Sequence, residues 1–319
     1  TLVASMATHE GATEGARAYN AGPVGPTLRV RPGDRINLTL RNNLDAPTNL
    51  HAHGLNVSPA GMGDDVFATV APGDERSYVY EIPGDHHSGT FWYHPHRHGT
   101  VAAQVAAGLF GAIIVDDEID DRDEMRAMNE RLLMLNDPVG IERSASPMDG
   151  MHGRAGELVR VNGQIQPILT AAPGSLERWR VVNASASRPL ALSAPGATMH
   201  VIASDGGRLS ESRELDGLVL VPGERAEIVV EVPRSATEIA VGDDGSGQPL
   251  ARLVADGSPT AGTTATVQTG LGEIVSVPAE SVDRKRTVTF CVDMAIGSMM
   301  SDDAGIEFTI EGEPFDPQL

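Results

Sequence analysis

The sequence predicts an all-β protein built from tandem antiparallel β-sandwiches. Short stretches in which apolar and polar residues alternate recur along the chain, for example at 35–40, 76–82 and 226–232, and Pro-Gly turns separate them. The 35 glycines and 21 prolines supply the turns that many short strands require. Alternation of period two between regularly spaced turn signals is typical of β-sandwiches. We expect helices to be a minor component.

An internal repeat indicates two equivalent sandwiches. The segment 32–42 runs from a Pro-Gly turn to an asparagine, and it matches 173–183 in length, turn and terminal asparagine. A second segment, 72–83, matches 222–233 in the same way. A repeat of this size indicates duplicated structural units.

The repeat also predicts the domain limits. A glycine precedes the first Pro-Gly turn of each copy by ten residues, at Gly22 and Gly163, and Gly312 lies in a similar sequence. We therefore expect a first sandwich over 1–118, an acidic linker over 119–131, a second sandwich over 132–270 and the start of a third over 271–319. Ten residues on from Gly312 lies beyond Leu319, so we expect the third domain to be incomplete. Residues 116–131 hold eight acidic side chains and predict a solvated connection with a short helical sequence at 124–133.

The composition argues against two classes of partner. The formal net charge of −20 disfavours nucleic acid and suits a protein that attracts cations. The longest apolar run, near 109–115, is far shorter than the ~20 residues of a membrane helix, so we expect no membrane segment. A single cysteine, Cys291, rules out disulfides within the chain.

Two His-x-His pairs, His51 with His53 and His94 with His96, are the most informative feature of the chain. Seven of the ten histidines lie between 51 and 98, and this clustering is hard to attribute to chance. In a strand, residues i and i+2 share a face roughly 7 Å apart, so each pair presents two imidazoles side by side. Two such strands facing each other would form a four-nitrogen metal site. Imidazole binds copper, zinc, iron and nickel, and the alternative is that these are ordinary strand histidines.

The sequences around the pairs resemble the first two copper motifs of the multicopper oxidases, the laccase-like enzymes built from cupredoxin domains. The similar segments are His-Ala-His-Gly at 51–54, Trp-Tyr-His-Pro-His-x-His-Gly at 92–99 and Gly-Leu-Phe-Gly-Ala-Ile-Ile-Val-Asp at 108–116. Segments at 161–164, 178–184 and 220–227 are similar to the family's ligand-free middle domain. The resemblance implies tandem cupredoxin-like Greek-key sandwiches, with both copper motifs in the first domain.

The resemblance also implies roles for the histidines. In that family eight histidines hold a trinuclear copper cluster, and a type 1 copper bound through cysteine passes electrons to it. Carried over by motif position, His51 would bind the type 2 copper, His53 and His94 one type 3 copper, and His96 the other. The later motifs, His-x-x-His-x-His and His-Cys-His, do not occur, so four ligands and the type 1 site are missing.

Other candidate residues carry weaker signals. Cys291 has no histidine nearby, and we expect a buried strand cysteine. Asp64 or Asp65 falls where the family often keeps an acid that relays protons to reduced oxygen, although a turn role is equally natural. We expect His98 to support a ligand or to lie exposed, because Pro95 ends the regular strand.

The function implied by the resemblance is a copper-dependent oxidoreductase that couples one-electron oxidation of a reducing substrate to four-electron reduction of dioxygen to water. Its partners would be dioxygen and a small reductant, namely a phenol, an aromatic amine or a metal ion, and its location extracellular or periplasmic. With half of the cluster ligands, this chain alone is expected to be inactive. The sequence carries no signal of an oligomeric state.

Two other functions remain as alternatives. One is a non-catalytic copper-binding or structural cupredoxin-domain protein. The other, a metallohydrolase or cupin-type dioxygenase, fits less well, because no Asp or Glu follows the pairs at the spacing those sites use.

Overall fold

The computed structural model describes residues 1–8, 12, 15–138, 153, 155–205, 207–258, 271, 286–294 and 306–314. Within them, 22 strands and two short helices form the regular structure, which confirms the predicted all-β class. The alternating stretches form strands because their apolar residues can all lie on one face of a sheet. No helix in this described part is long and apolar enough to cross a bilayer.

The first sandwich contains eight strands and one helix: β1 (Leu2–Met6), β2 (Arg17–Tyr19), β3 (Gly25–Val30), β4 (Arg35–Asn42), β5 (His51–His53), β6 (Glu75–Glu81), β7 (Gly89–His94), α1 (Val101–Ala106) and β8 (Gly111–Val115). Two four-stranded sheets result, in the orders β2-β1-β4-β6 and β3-β8-β7-β5. One cluster of buried apolar side chains, including Tyr19, Leu40, Tyr78 and Phe91, fills the space between them. Burial of this surface, at about 25 cal/mol per Å², holds the sheets face to face.

The second sandwich follows helix α2 (Asp123–Arg126) and contains eleven strands: β9 (Asn129–Asn136), β10 (Arg160–Val161), β11 (Ile168–Ala171), β12 (Leu176–Asn183), β13 (Leu190–Ser193), β14 (Thr198–Ser204), β15 (Gly207–Leu215), β16 (Leu218–Leu220), β17 (Arg225–Glu231), β18 (Glu238–Asp243) and β19 (Gln248–Ala255). A six-stranded sheet, β10-β9-β12-β17-β14-β15, faces a five-stranded sheet, β11-β19-β18-β13-β16. Trp179 is the largest side chain in the buried cluster between them.

The prediction of a helical sequence at 124–133 is wrong beyond the first turn. Helix α2 ends at Arg126, and β9 begins at Asn129, inside the predicted linker. Residues 129–135 pair in parallel with β12 and bury Leu133 and Leu135 in the second core. Strand pairing therefore overrides a local sequence that also suits a helix.

The last described strands are β20 (Phe290–Met294), β21 (Ile306–Ile310) and β22 (Glu313–Pro314), which form a three-stranded sheet. Glu311 and Gly312 join β21 to β22 with φ of +56° and +84°. Asn162 and Gly163 adopt the same pair of left-handed conformations, at +52° and +80°. Two consecutive left-handed residues form a type I′ turn, so the sequence similarity around Gly312 marks a recurring turn.

The two sandwiches share one hydrogen-bonded clamp at equivalent positions. Asn42 ends β4 and Asn183 ends β12, and both side chains are fully buried and donate to two backbone carbonyls. The N–H of Gly73 donates to Asn42, and that of Gly223 donates to Asn183, each at 2.8 Å. The repeated sequence segments therefore make the same hydrogen bonds in both sandwiches.

The sandwiches pack together through β7 and β8. Every residue of both strands is buried, whereas an antiparallel sheet commonly leaves one face in water. Trp92 and Ala112 of the first sandwich form one apolar cluster with Met134 and Val182 of the second. One face of the β7–β8 pair thus covers the first core and the other meets the second sandwich. Because β7 carries His94, the candidate ligands lie on a strand of this interface.

A buried ionic cluster crosses the same interface. Arg178 and Arg180 of β12 both bind Glu227 of β17 and Asp120, and Arg180 also binds Asp116. The side chains of Asp116 and Asp120 are only 10% and 8% exposed. The expectation that this acidic stretch is solvated is therefore wrong for these two residues, because they neutralise arginines of the second sandwich.

Candidate metal centre

Antiparallel pairing of β5 with β7 brings the two His-x-His pairs together. His51 lies directly opposite His94. The two strands are thus hydrogen-bonded neighbours in one sheet. Strand β7 ends at His94, and Pro95 places His96 in the loop beyond it.

The four imidazoles meet at one place. The ring centroid of His51 lies 5.7 Å from that of His53, 5.3 Å from that of His94 and 5.0 Å from that of His96. One ring nitrogen from each of His51, His53 and His94 lies within 4.8 Å of the other two. Nδ1 of His53 and Nε2 of His94 are 3.2 Å apart.

Hydrogen bonds outside the cluster orient two of the rings. Nδ1 of His94 donates to the carbonyl oxygen of Pro95 at 2.8 Å, so Nε2 of the neutral ring keeps its lone pair. Nδ1 of His51 lies 2.8 Å from Oδ2 of Asp64, which can only accept when ionised, so Nε2 of His51 is also unprotonated in the neutral ring. An imidazole held in this way is a ready metal ligand.

Burial keeps the rings of His53 and His94 neutral. Burial, with help from the Arg225 guanidinium and the neighbouring imidazoles, lowers the pKa of His53 to about 4. Burial lowers the pKa of His94 to about 3. Partial desolvation also lowers the pKa of His96, although its side chain is exposed at the edge of the cluster. Protons therefore compete little with a cation for these nitrogens near neutral pH.

The structure distinguishes between Asp64 and Asp65. Asp64 contacts His51, and its other oxygen accepts the backbone N–H of Ala52 at 2.9 Å. Asp65 instead accepts the N–H of Phe67 at 3.0 Å, as a turn residue does. Only Asp64 is thus tied to a candidate ligand.

Asn49 also belongs to the candidate site, although it was not among the residues predicted from the sequence. It is fully buried, its Oδ1 accepts the N–H of His96 at 2.6 Å, and its Nδ2 donates to the carbonyl of Val66 at 2.8 Å. Asn49 therefore ties the loop of His96 to the loop that carries Asp64. The sequence contains a pattern that could have identified Asn49, because Asn49 precedes His51 by two residues, the same spacing that relates His51 to His53.

Two other sequence candidates lie elsewhere. Cys291 lies on β20, as expected for a strand cysteine, but it is partly exposed and not buried. His98 is exposed in the loop between β7 and α1.

The chemistry of the donor set fits copper. The candidate ligands are neutral imidazoles, which suit copper, zinc, iron and nickel, and they stand close enough for neighbouring rings to share an ion. The donors alone do not choose among these metals, so the choice depends on the family.

Comparison with known sequences identifies that family. The family described as multicopper oxidase matches twice, over residues 3–120 and over residues 129–239. Multicopper oxidase mco of Staphylococcus haemolyticus is 34% identical over 224 residues, which cover 69% of this chain and 49% of that protein. Cell division protein FtsP of Sodalis glossinidius is 32% identical over 234 residues, which cover 70% and 47%. The chain thus spans about half the length of the curated relatives it matches.

Solved structures agree with this result. The laccase-like multi-copper oxidase CueO from Ochrobactrum sp. superposes with a TM-score of 0.83 at 27% identity, over 99% of this chain and 74% of that one. A multicopper oxidase from Campylobacter jejuni, a metallo-oxidase, gives a TM-score of 0.78 at 25% identity, over 99% and 70%.

The fold is accordingly that of the cupredoxin-type proteins with tandem β-sandwich domains. The chain belongs to the multicopper oxidase family, a family of copper oxidoreductases.

Proposed function

We propose that this protein couples the one-electron oxidation of a reducing substrate to the four-electron reduction of dioxygen to water. The observation that carries the proposal is the meeting of the four predicted ligands in one cluster of a multicopper oxidase chain. We assign His51 to a type 2 copper, His53 and His94 to one type 3 copper, and His96 to the other. The reductant is a phenol, an aromatic amine or a metal ion, and the protein acts outside the cytoplasm.

Copper supplies reversible one-electron chemistry when bound, and several ions together supply the four electrons that dioxygen needs. The residues of the chain prepare the ligands for this task. The carbonyl of Pro95 holds the Nδ1 proton of His94, and Asp64 holds that of His51, so each presents Nε2. Strand β7, buried on both faces, keeps water away from the protein side of the centre.

A non-catalytic role is the second candidate function. It is favoured by the relatives named cell division protein FtsP, which match 66–70% of this chain, a share similar to the 69% matched by the oxidase relative. In that case the sandwiches form a copper-binding or structural unit without turnover.

Copper titration tests the site. The chain is titrated with Cu(II) alone and followed by electron paramagnetic resonance, in which ligating imidazole nitrogens split the signal. We expect wild type to bind copper, His94→Gln to bind it about tenfold or more weakly, and His200→Gln to bind it as wild type does, because His200 bonds Glu231 on the second sandwich. A wild type that binds no copper would contradict the oxidase and the copper-binding form of the second function, and would leave only a structural role.

Oxygen uptake separates the two functions. The protein, with any sequence it has beyond these 319 residues, is given copper and a phenol or an aromatic diamine. Oxygen uptake supports the oxidase, whereas copper binding without uptake supports the non-catalytic role. We expect the 319 residues alone to bind copper without consuming oxygen, because they contain neither of the family's later histidine motifs.

A further inference from the structure

A Pro-Gly turn of the second sandwich packs against a candidate ligand of the first. Gly223 has φ of +88° and lies just before β17. A Cβ placed on Gly223 would lie 3.1 Å from Cε1 and 3.5 Å from Nε2 of His53, and 3.8 Å from the Trp92 ring. The His53 ring in turn lies 5.2 Å from that of Trp92. His53 is therefore in contact with both sandwiches.

Arg225, two residues further on, ties this turn to the first sandwich. Its Nε donates to the carbonyl of Thr90 on β7 at 3.1 Å, and its guanidinium pairs with Asp205. The side chain is 5% exposed. Gly54, which follows His53, provides the space, because a Cβ at Gly54 would overlap Nη2 of Arg225.

The equivalent turn of the first sandwich makes no such contact. Gly73 has φ of +85°, close to that of Gly223, but nothing lies within 4 Å of a Cβ placed on it. The first copy also has an exposed Glu75 where the second has Arg225. The turn is common to both copies, whereas the contact with His53 belongs to the second copy alone.

We propose that the second sandwich, to which no ligand is assigned, positions His53 for metal binding. The turn at Gly223 covers the Cε1–Nε2 edge of the ring, so that Nδ1 is directed at Nε2 of His94, 3.2 Å away. Gly223 and Arg225 are positioning residues in this scheme. The inference takes its metal from the proposed function, whereas the position of the ring can be tested without any metal.

The first experiment uses metal-free protein. In Gly223→Ala the added methyl must push His53 aside by a few tenths of an ångström. We expect the ¹H–¹³C cross-peak of the His53 Cε1 to move, after its assignment by its loss in His53→Gln. Gly73→Ala is the matched control, because it brings the same backbone strain with no neighbour to displace. Arg225→Lys keeps the charge but not the forked contacts, and it should move the same cross-peak.

The second experiment measures the affinity for Cu(II) alone by competition titration. Changes to residues that orient a metal ligand cost roughly 10–100-fold in affinity, and we expect about a tenfold loss in Gly223→Ala. Gly73→Ala should bind copper as wild type does.

The outcomes separate this inference from the proposed function. A cross-peak that stays in place in both Gly223→Ala and Arg225→Lys overturns the inference. If wild type binds copper, a copper affinity of Gly223→Ala equal to that of Gly73→Ala also overturns the inference. If the cross-peak moves only in Gly223→Ala and Arg225→Lys, and wild type binds no copper, the first result supports the positioning of His53. The second result then contradicts the proposed function.

Discussion

Nδ1 of His53 lies 3.2 Å from Nε2 of His94, although 41 residues separate the two histidines in the chain. Because the Nδ1 proton of His94 is committed to the carbonyl of Pro95, the proton between the rings belongs to His53. Two nitrogens that are each ~2.0–2.1 Å from one ion, at an angle of about 90–110°, are roughly 2.9–3.4 Å apart. A metal ion can therefore replace that proton with little movement of either ring.

We predict that His53 and His94 bind one copper ion as a pair. His53→Gln and His94→Gln should each weaken Cu(II) binding about tenfold or more, and the double variant should lose little beyond the larger single loss, because coupled residues are not additive. Competition titration gives the three dissociation constants, with His200→Gln as the control. Losses that add in free energy would show that the two rings serve separate ions.

Asp64→Asn should weaken copper binding at His51 and lower the stability moderately. Loss of the carboxylate that orients an imidazole costs roughly 10–100-fold in metal affinity. The amide still accepts the Ala52 N–H, so we expect a change of about 1–2 kcal/mol in the free energy of unfolding. Asp65→Asn is the matched control, and its copper affinity should equal that of wild type. Equal losses in the two variants would argue against a role specific to Asp64.

The fold was predictable wherever its cause is local. Alternating residues and Pro-Gly turns specify strands within a few positions, and the repeat located the clamp residues Asn42 and Asn183. The prediction that the acidic stretch is solvated was wrong for Asp116 and Asp120, because their burial depends on partners that are distant in the sequence. Arg178, which binds Asp120, lies 58 residues further along the chain. No local pattern distinguishes such an aspartate from a solvated one.

The residues of the candidate site likewise fall into those that a local sequence pattern predicts and those that it does not. The i, i+2 spacing of the histidines predicts both His-x-His pairs. The same spacing, counted back from His51, reaches Asn49. Gly223 carries no such signal, because its Pro-Gly turn looks like the one at Gly73. Only the packing of the two sandwiches shows which of the two turns meets a ligand.

Asn49→Ala should destabilise the protein and loosen His96. The change leaves the N–H of His96 and the carbonyl of Val66 without their partner, and an unsatisfied buried polar group costs about 1–3 kcal/mol. Urea unfolding should show a loss of about 2 kcal/mol or more in the free energy of unfolding. The loss of copper affinity should resemble that of His96→Gln. Wild-type affinity in a folded Asn49→Ala variant would show that His96 is positioned by other contacts.

Glu227 should make the packing of the two sandwiches sensitive to acid. Burial alone would raise the pKa of Glu227, but the charges of Arg180 and Arg178 outweigh it and lower the pKa to about 2 from the ordinary 4.5. A carboxyl with a depressed pKa stabilises the folded state fully above its unfolded pKa, and this stabilisation is lost as the pH falls from about 4.5 to about 2. At about 1.4 kcal/mol per pKa unit, the loss is on the order of 3 kcal/mol.

The Glu227→Gln variant tests this acid sensitivity near neutral pH and over the acid range. Near pH 7 it should lower the free energy of unfolding by about 3–5 kcal/mol, because Arg178 and Arg180 lose a buried counter-charge. Between pH 4.5 and 2 its stability should fall less steeply than that of wild type, since one titrating group has gone. Glu231→Gln, at the exposed end of the same strand, should follow the wild-type slope. A Glu227→Gln variant with the wild-type slope would show that other carboxyls set the acid sensitivity. Because Thr90 of β7 donates to Glu227 at 2.9 Å, acid should also loosen the strand that carries His94.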